Sequence, residues 1–141
     1  MPDTPLKVMF VADFGPIVRD PAKSHALYRD TLGLPLKPMP NDEIYLHAEA
    51  IDGVRHFALW PLTHAAQSCF GSSQWPTSIP EPTSWLEFDV EDVASASVEL
   101  QRRGYHLLVN NRQEPWGQTV SRLLSPEGIL IGITFTPWLR G

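Results

Sequence analysis

The sequence predicts an α+β protein assembled from two copies of one strand–helix–strands module, and three observations predict it. DFGPIVRDPAKSHALYRDTLGL in the first half and WLEFDVEDVASASVELQRRGY in the second read alike: a short apolar strand, an Asp that opens a helix, a Gly that closes it. The opening aspartates, Asp20 and Asp92, are 72 residues apart, and the closing glycines, Gly33 and Gly104, are 71 apart. Downstream, the turns in AIDGVRHFALW and SPEGILIGITF place Gly53 and Gly128 75 residues apart, each ahead of an apolar strand. Landmarks repeating at nearly one offset imply a duplicated module with a binding surface between the copies. The period is too long and the copies too few for a solenoid. One domain covers 1–141, with a first module at 6–62, a linker at 63–82 and a second module at 83–137.

The first helix has Asp20 as N-cap, Pro21 at the first helical position and Gly33 just past its end. Ser24, Leu27, Tyr28, Thr31 and Leu32 recur at the spacing of one buried helical stripe. The second helix repeats the design with Asp92 as cap, Val93, Ala96 and Leu100 as stripe, and Gly104 as stop. The strands alternate. After Arg55, Phe57 and Leu59 share one face, and His56, Ala58 and Trp60 the other. From Trp85, one face carries Leu86, Phe88 and Val90, the other Trp85, Glu87 and Asp89. In the last strand Ile129, Ile131, Ile133 and Phe135 oppose Leu130, Gly132 and Thr134. The wholly apolar faces are expected to pack on the helices and the mixed faces to line something else. The linker HAAQSCFGSSQWPTSIPEP reads as a long loop placed to cover a site between the modules.

The chain has 43% hydrophobic and 19% charged residues and no apolar run long enough for a membrane span, which predicts a globular protein free of the membrane. The start MPDTPLK lacks the apolar core of a signal peptide, and Cys69 stands alone, both of which fit a reducing cytoplasm. A net charge of −5 with scattered basic residues argues against a nucleic-acid partner. No intrachain disulfide is open to a single cysteine, and no motif around Cys69 marks it as a nucleophile.

The helix RDPAKSHALYRDTLGL, its partner VEDVASASVELQRRG and the ending EPWGQTVSRLLSPEGILIGI together resemble the vicinal oxygen chelate superfamily. That group includes glyoxalase I, extradiol dioxygenases, fosfomycin-resistance enzymes and bleomycin-resistance proteins. The resemblance spans roughly residues 7–136. It implies paired βαβββ modules whose strands form a curved mixed sheet around a cleft, with helices on the outer faces. It also implies a homodimer. Its enzymes hold a divalent metal with His, Glu or Gln from four strand positions. Carried onto this chain, those positions are Asp13, Ala58 (or Phe57 if the turn glycines are aligned strictly), Trp85 and Gly132. Only Asp13 among them donates to a cation, so the expectation is no metal and no cofactor.

The ligand-binding residues expected on the mixed faces are Asp13, His56, Trp60, Trp85, Glu87, Trp116 and Gly132. Trp85 either offers a stacking platform or fills the space left by a lost metal. His56 either faces the ligand or is a satisfied structural histidine. Trp116, in the Pro-Trp-Gly segment, either lies near the ligand or packs a turn. Trp75 is a lid residue or a loop anchor, and Trp138 a surface or subunit contact. Asp13, Glu87 and Asp89 would favour a cationic ligand unless Glu87 and Asp89 are solvated at the sheet edge. His25, His47, His64 and His106 show no HxxxH or HxH spacing, so no metal site is expected from them.

The function expected is sequestration of a small hydrophobic or aromatic ligand, with drug or antibiotic binding in the style of the bleomycin-resistance branch and no residue assigned to catalysis. The alternative is a metal-dependent lyase, isomerase or dioxygenase of the same superfamily, or a metal-independent enzyme using Asp13 or Glu87. A regulatory module with a vestigial cleft is the third reading.

Overall fold

The computed structural model describes residues 5–140. The first half supplies β1 (Val8–Val18), β2 (Lys37–Met39), β3 (Asp42–Ala48) and β4 (His56–Pro61); the second supplies β5 (Ser84–Val90), β6 (Val109–Gln113), β7 (Thr119–Leu124) and β8 (Leu130–Phe135). They form one eight-stranded mixed sheet in the order β2-β3-β4-β1-β5-β8-β7-β6. β1 and β5 run antiparallel at the centre, with Phe14 facing Leu86, and each lies parallel to the last strand of its own module. The two halves of the strand order mirror each other, so the repeated landmarks do mark a duplicated module. β2 and β6 do not pair with each other, and the sheet stays open.

The strand faces sort as the alternation predicts. Phe57 and Leu59 of β4 pack with Val18, Leu36, Leu46 and Tyr28 on the first outer face. Phe88, Val90, Ile131, Ile133 and Phe135 pack with Val93, Ala96 and Leu100 on the second. Ala58, Trp60, Trp85 and Leu130 turn inward and form a third cluster. Tyr45 of β3 and Val109 of β6 both join that third cluster although they stand on opposite wings. Only a sheet curled about its inner face brings them together.

The helix in the second module, Val93–Arg102, starts where expected: the Asp92 carboxylate accepts from Ser95 N at 3.0 Å, and Gly104 closes it at φ +92°. In the first module, α1 (Pro21–His25) is capped by Asp20, which accepts from Lys23 N at 3.2 Å. It then widens into a π-helical turn over Ala26–Thr31, with Leu32 N bonded to Leu27 O at 2.9 Å. The wider turn breaks the 3.6-residue period. Tyr28 still packs inward, but Leu27 and Leu32, expected in the buried stripe, are exposed.

The segment read as a loop contains α2 (Leu62–Phe70), which ends on Gly71 at φ +72°. Its small residues Ala65, Ala66 and Cys69 are buried among Trp60, Trp75 and Trp85 inside the curve of the sheet. Arg112 of β6 reaches across to the Ser68 carbonyl, tying α2 to the second module. With the intervening α2 counted, Val93–Arg102 is α3. No described helix is long and apolar enough to cross a membrane.

At the centre of the sheet the backbones leave no room for a side chain at Gly15, where an added Cβ would overlap the Ala58 carbonyl oxygen. Gly15→Ala is therefore expected to lower the unfolding free energy by about 3 kcal/mol or more, read from the urea midpoint.

Candidate functional site

The register of four strands builds the centre of the inner face. Asp13 of β1 faces Glu87 of β5, His56 of β4 stands beside Asp13, and Gly132 of β8 stands beside Glu87. Arg122 of β7 faces Gly132. Glu87 and Arg122, each only 1% exposed, form an ion pair at 2.7 Å. The guanidinium carbon also lies 4.8 Å from the centre of the Trp60 ring, a cation–π contact. Gln118 Nε2 donates to Glu87 Oε1 at 2.9 Å and to Thr134 Oγ1 at 2.7 Å.

Two carboxyl groups and one cation cannot all be charged in so dry a place. Burial pushes Asp13 up to about 11, and the charge of Glu87 and a hydrogen bond to it push the same way against the pull of Arg122. Burial works upward on Glu87 too, but Arg122 and the hydrogen bonds from Asp13, Arg122 and Gln118 prevail and hold it below the ordinary range. The centre is thus a neutral acid hydrogen-bonded to a carboxylate, with the guanidinium as its counter-ion.

On the first-module side the cluster reaches the rim through rings. His56 Nε2 lies 3.9 Å from Asp13 Oδ1 and 2.9 Å from the Tyr45 hydroxyl. Its Nδ1 lies 2.9 Å from Glu49 Oε2, which also meets His47 Nδ1 at 2.7 Å. Burial lowers the His56 pKa, with Glu49 opposing, so its imidazole is neutral at pH 7. Burial, aided by the nearby acids, raises the Tyr45 phenol well above its usual value.

The two ends of the inner face differ. At one end Trp60 and Trp85 pack together with ring centres 5.0 Å apart, and the Trp85 indole donates to the Ala58 carbonyl at 3.3 Å. α2 closes over them, and Trp75 anchors the following loop by donating to the Ile79 and Pro80 carbonyls. At the other end a groove of about 690 Å³ lies open between Phe10, the loop Glu49–Arg55, Trp138 and Leu139.

Asp13, His56, Trp60, Trp85, Glu87 and Gly132 are therefore brought to one face, while Trp116 is not. Trp116 is 57% exposed in a turn and touches the cluster only through Gln118 Oε1, at 2.8 Å. Trp60 and Trp85 are buried against α2, so neither presents an open stacking surface. Asp89 is not solvated at an edge. It is fully buried, accepting from Thr136 N and Oγ1 at 3.0 Å and pairing with Arg140, and it pins the C-terminal turn. Trp75 is the loop anchor, and Trp138 lines the groove. Cys69 is buried, and burial raises its thiol pKa, which suppresses nucleophilicity. Sequence reasoning missed Arg122, Tyr45, His47 and Glu49. One signal for Arg122 was a charge between apolar neighbours in VSRLL. For His47 and Glu49 it was their i, i+2 spacing, which puts both on one strand face.

A duplicated, open mixed sheet with α1 and α3 on its outer faces, α2 inside its curve and a polar inner centre defines a class of paired-module proteins. The chain belongs to the Glyoxalase/Bleomycin resistance protein/Dioxygenase superfamily, whose model matches residues 12–133. Among solved structures it is similar to a superfamily member from Vibrio splendidus, at 16% identity and a TM-score of 0.59, covering 90% of this chain and 98% of that one. It is also similar to a methylmalonyl-CoA epimerase from Streptomyces coelicolor in complex with 2-nitronate-propionyl-CoA, at 14% identity and a TM-score of 0.56, covering 93% and 99%. A hypothetical protein from Bacillus halodurans gives 16% identity, a TM-score of 0.59, and 90% and 94% coverage. These likenesses show the fold alone. No curated protein matches the chain significantly.

The metal that the family resemblance implies does not fit the four positions carried onto this chain. Ala58 and Gly132 offer no side-chain donor, and Trp85 spends its indole N–H on the Ala58 carbonyl. A side chain at 132 would collide with Glu87, whose Cγ lies 2.7 Å from the place of a Cβ. Arg122 already supplies the positive charge that Glu87 requires.

Asp13 holds its proton in the folded chain up to about 11 but loses it near 3.8 when unfolded. Its contribution to stability is complete below the lower value and is lost as pH rises toward the upper one. Glu87, shifted the other way, loses its contribution as pH falls. Asp13→Asn is thus expected to gain melting temperature relative to wild type, with the gap widening from about pH 5 to about pH 9. Arg122→Met strands the Glu87 charge and is expected to cost about 3–5 kcal/mol in urea unfolding, while adding Glu87→Gln recovers at least about half of it.

Proposed function

We propose that this chain binds a small amphipathic organic molecule in the open groove of its inner face, without a metal ion at the family's usual position. The observation that carries this reading is the pairing of that groove with a centre whose charges are already balanced by protein groups. The groove walls are mixed, with Phe10, Ile51, Val54 and Trp138 supplying apolar surface and Glu49, Asp52 and Arg55 charged groups among them. Such a surface suits a ligand with an aromatic or aliphatic body and a cationic or hydrogen-bond-donating end. Arg55, stacked on Phe10 at 3.8 Å, orders one wall. Glu49 then connects the groove to His56 and the Asp13–Glu87 pair. Binding without bond-making, as in drug sequestration of the bleomycin-resistance kind, needs nothing beyond these groups.

A second reading is proton transfer without a metal. It is favoured by Asp13, an acid that keeps its proton at neutral pH beside an ionised Glu87. The Asp13–His56–Tyr45 sequence of contacts would serve as its route to the rim.

Intrinsic tryptophan fluorescence, titrated with a panel of aromatic amines and planar cationic drugs, separates these readings. The expected outcome is saturable binding with no chemical change in the ligand, weakened about fivefold or more by Trp138→Ala and less than about twofold by Trp116→Ala. Binding indifferent to Trp138→Ala overturns the groove assignment. Turnover abolished by Asp13→Asn transfers the case to the second reading.

A further inference from the structure

Away from the central pair, the structure gathers a second set of donor atoms. His47 and Glu49 stand two residues apart at the end of β3, and His56 opens the neighbouring β4 of the same hairpin. The Nδ1 atoms of His47 and His56 point at one Glu49 oxygen from 2.7 and 2.9 Å, and the three donor atoms all lie within 4.8 Å of one another. The two imidazoles stack with centres 5.7 Å apart and planes 15° from parallel.

We propose that His47, Glu49 and His56 form a binding site for a borderline divalent transition ion of the Zn²⁺ or Co²⁺ type. Two imidazoles and a carboxylate are a donor set that such ions favour over hard cations, which prefer oxygen alone. Zinc takes nitrogen and oxygen at about 2.0–2.2 Å, which in a tetrahedron sets the donors about 3.3 Å apart. The observed 2.7 and 2.9 Å contacts need to open by about half an ångström to reach that separation. Glu49 can supply that movement, because its side chain is 42% exposed on a loop.

The surroundings are those of a supported ligand. A metal-bound imidazole ordinarily has its second nitrogen fixed by an outer partner. His56 Nε2 has the Tyr45 hydroxyl at 2.9 Å, with the Asp13 carboxyl 3.9 Å away. Entry is provided by the groove, which Glu49 itself lines. Three protein donors leave a fourth position for water or for an oxygen atom of a molecule in the groove. The site is separate from the four family positions, since neither His47, Glu49 nor His56 is among them. It does not depend on what the groove binds.

The test is a Co²⁺ titration of the untagged chain freed of metal, followed by visible absorption and by calorimetry, with no organic ligand present. One Co²⁺ per chain is expected, displaced by Zn²⁺. Glu49→Gln and His47→Ala are each expected to weaken it about tenfold or more, and Tyr45→Phe by a smaller factor. His64→Ala, which removes a histidine paired with Asp42 outside the cluster, is expected to change nothing. Failure of the wild-type chain to take up Co²⁺ in molar excess overturns the proposal. So does uptake insensitive to Glu49→Gln, the exposed substitution that decides the matter should His47→Ala not fold.

Discussion

The burial of the Glu87 carboxylate constrains the rest of the inner face. An ionised carboxyl removed from water is costly by several kcal/mol unless a counter-charge and hydrogen bonds meet it. Arg122 provides the charge, and Gln118 and Asp13 provide hydrogen bonds. The consequences spread outward. Asp13 must keep its proton, because one guanidinium cannot neutralise two carboxylates. Position 132 must be glycine, because the Glu87 side chain occupies the space above it. Trp60 lies against the guanidinium and shields it from water. The Glu87–Arg122 pair thus also dictates the packing around it.

The duplication is near-symmetric in backbone and asymmetric in chemistry. β3 faces Ala58 with His47, whereas the matching strand of the second module, β7, faces Gly132 with Arg122. One wing carries imidazole and phenol rings and the Glu49 side chain near the rim, and the other carries the fully buried Arg122. α2 accentuates the difference by filling the tryptophan end of the curve with small side chains, while a groove stands open at the opposite end. The open groove lies at that end, with the balanced Glu87–Arg122 centre behind it.

Much of the fold was legible from local signals. Caps at Asp20 and Asp92 and stops at Gly33 and Gly104 act over a few residues, and alternation along β4, β5 and β8 sorts side chains in or out without reference to partners. Local rules also explain two misses. The π-helical turn at Ala26–Thr31 changes the helical period and exposes Leu27 and Leu32. α2 was hidden by the Gly, Ser and Pro residues that follow it, although Leu62, Ala65, Ala66, Cys69 and Phe70 keep helical spacing. The site was legible only in part. His56, Glu87 and Gly132 follow from strand parity and Asp13 from the family resemblance, whereas the partners of those residues follow from neither.

The sequence by itself determined the duplicated α+β plan and the inward residues of each strand, because these depend on periodicity and on residue type, and the family resemblance added the mismatch with a four-ligand metal centre. Only the tertiary structure decided that Arg122 meets Glu87 from 35 residues away, that Glu49 gathers His47 and His56, and that Trp85 is packed beneath α2. Those pairings are set by strand register and sheet curvature. Both arise from contacts between segments far apart in the chain, and no local pattern encodes them.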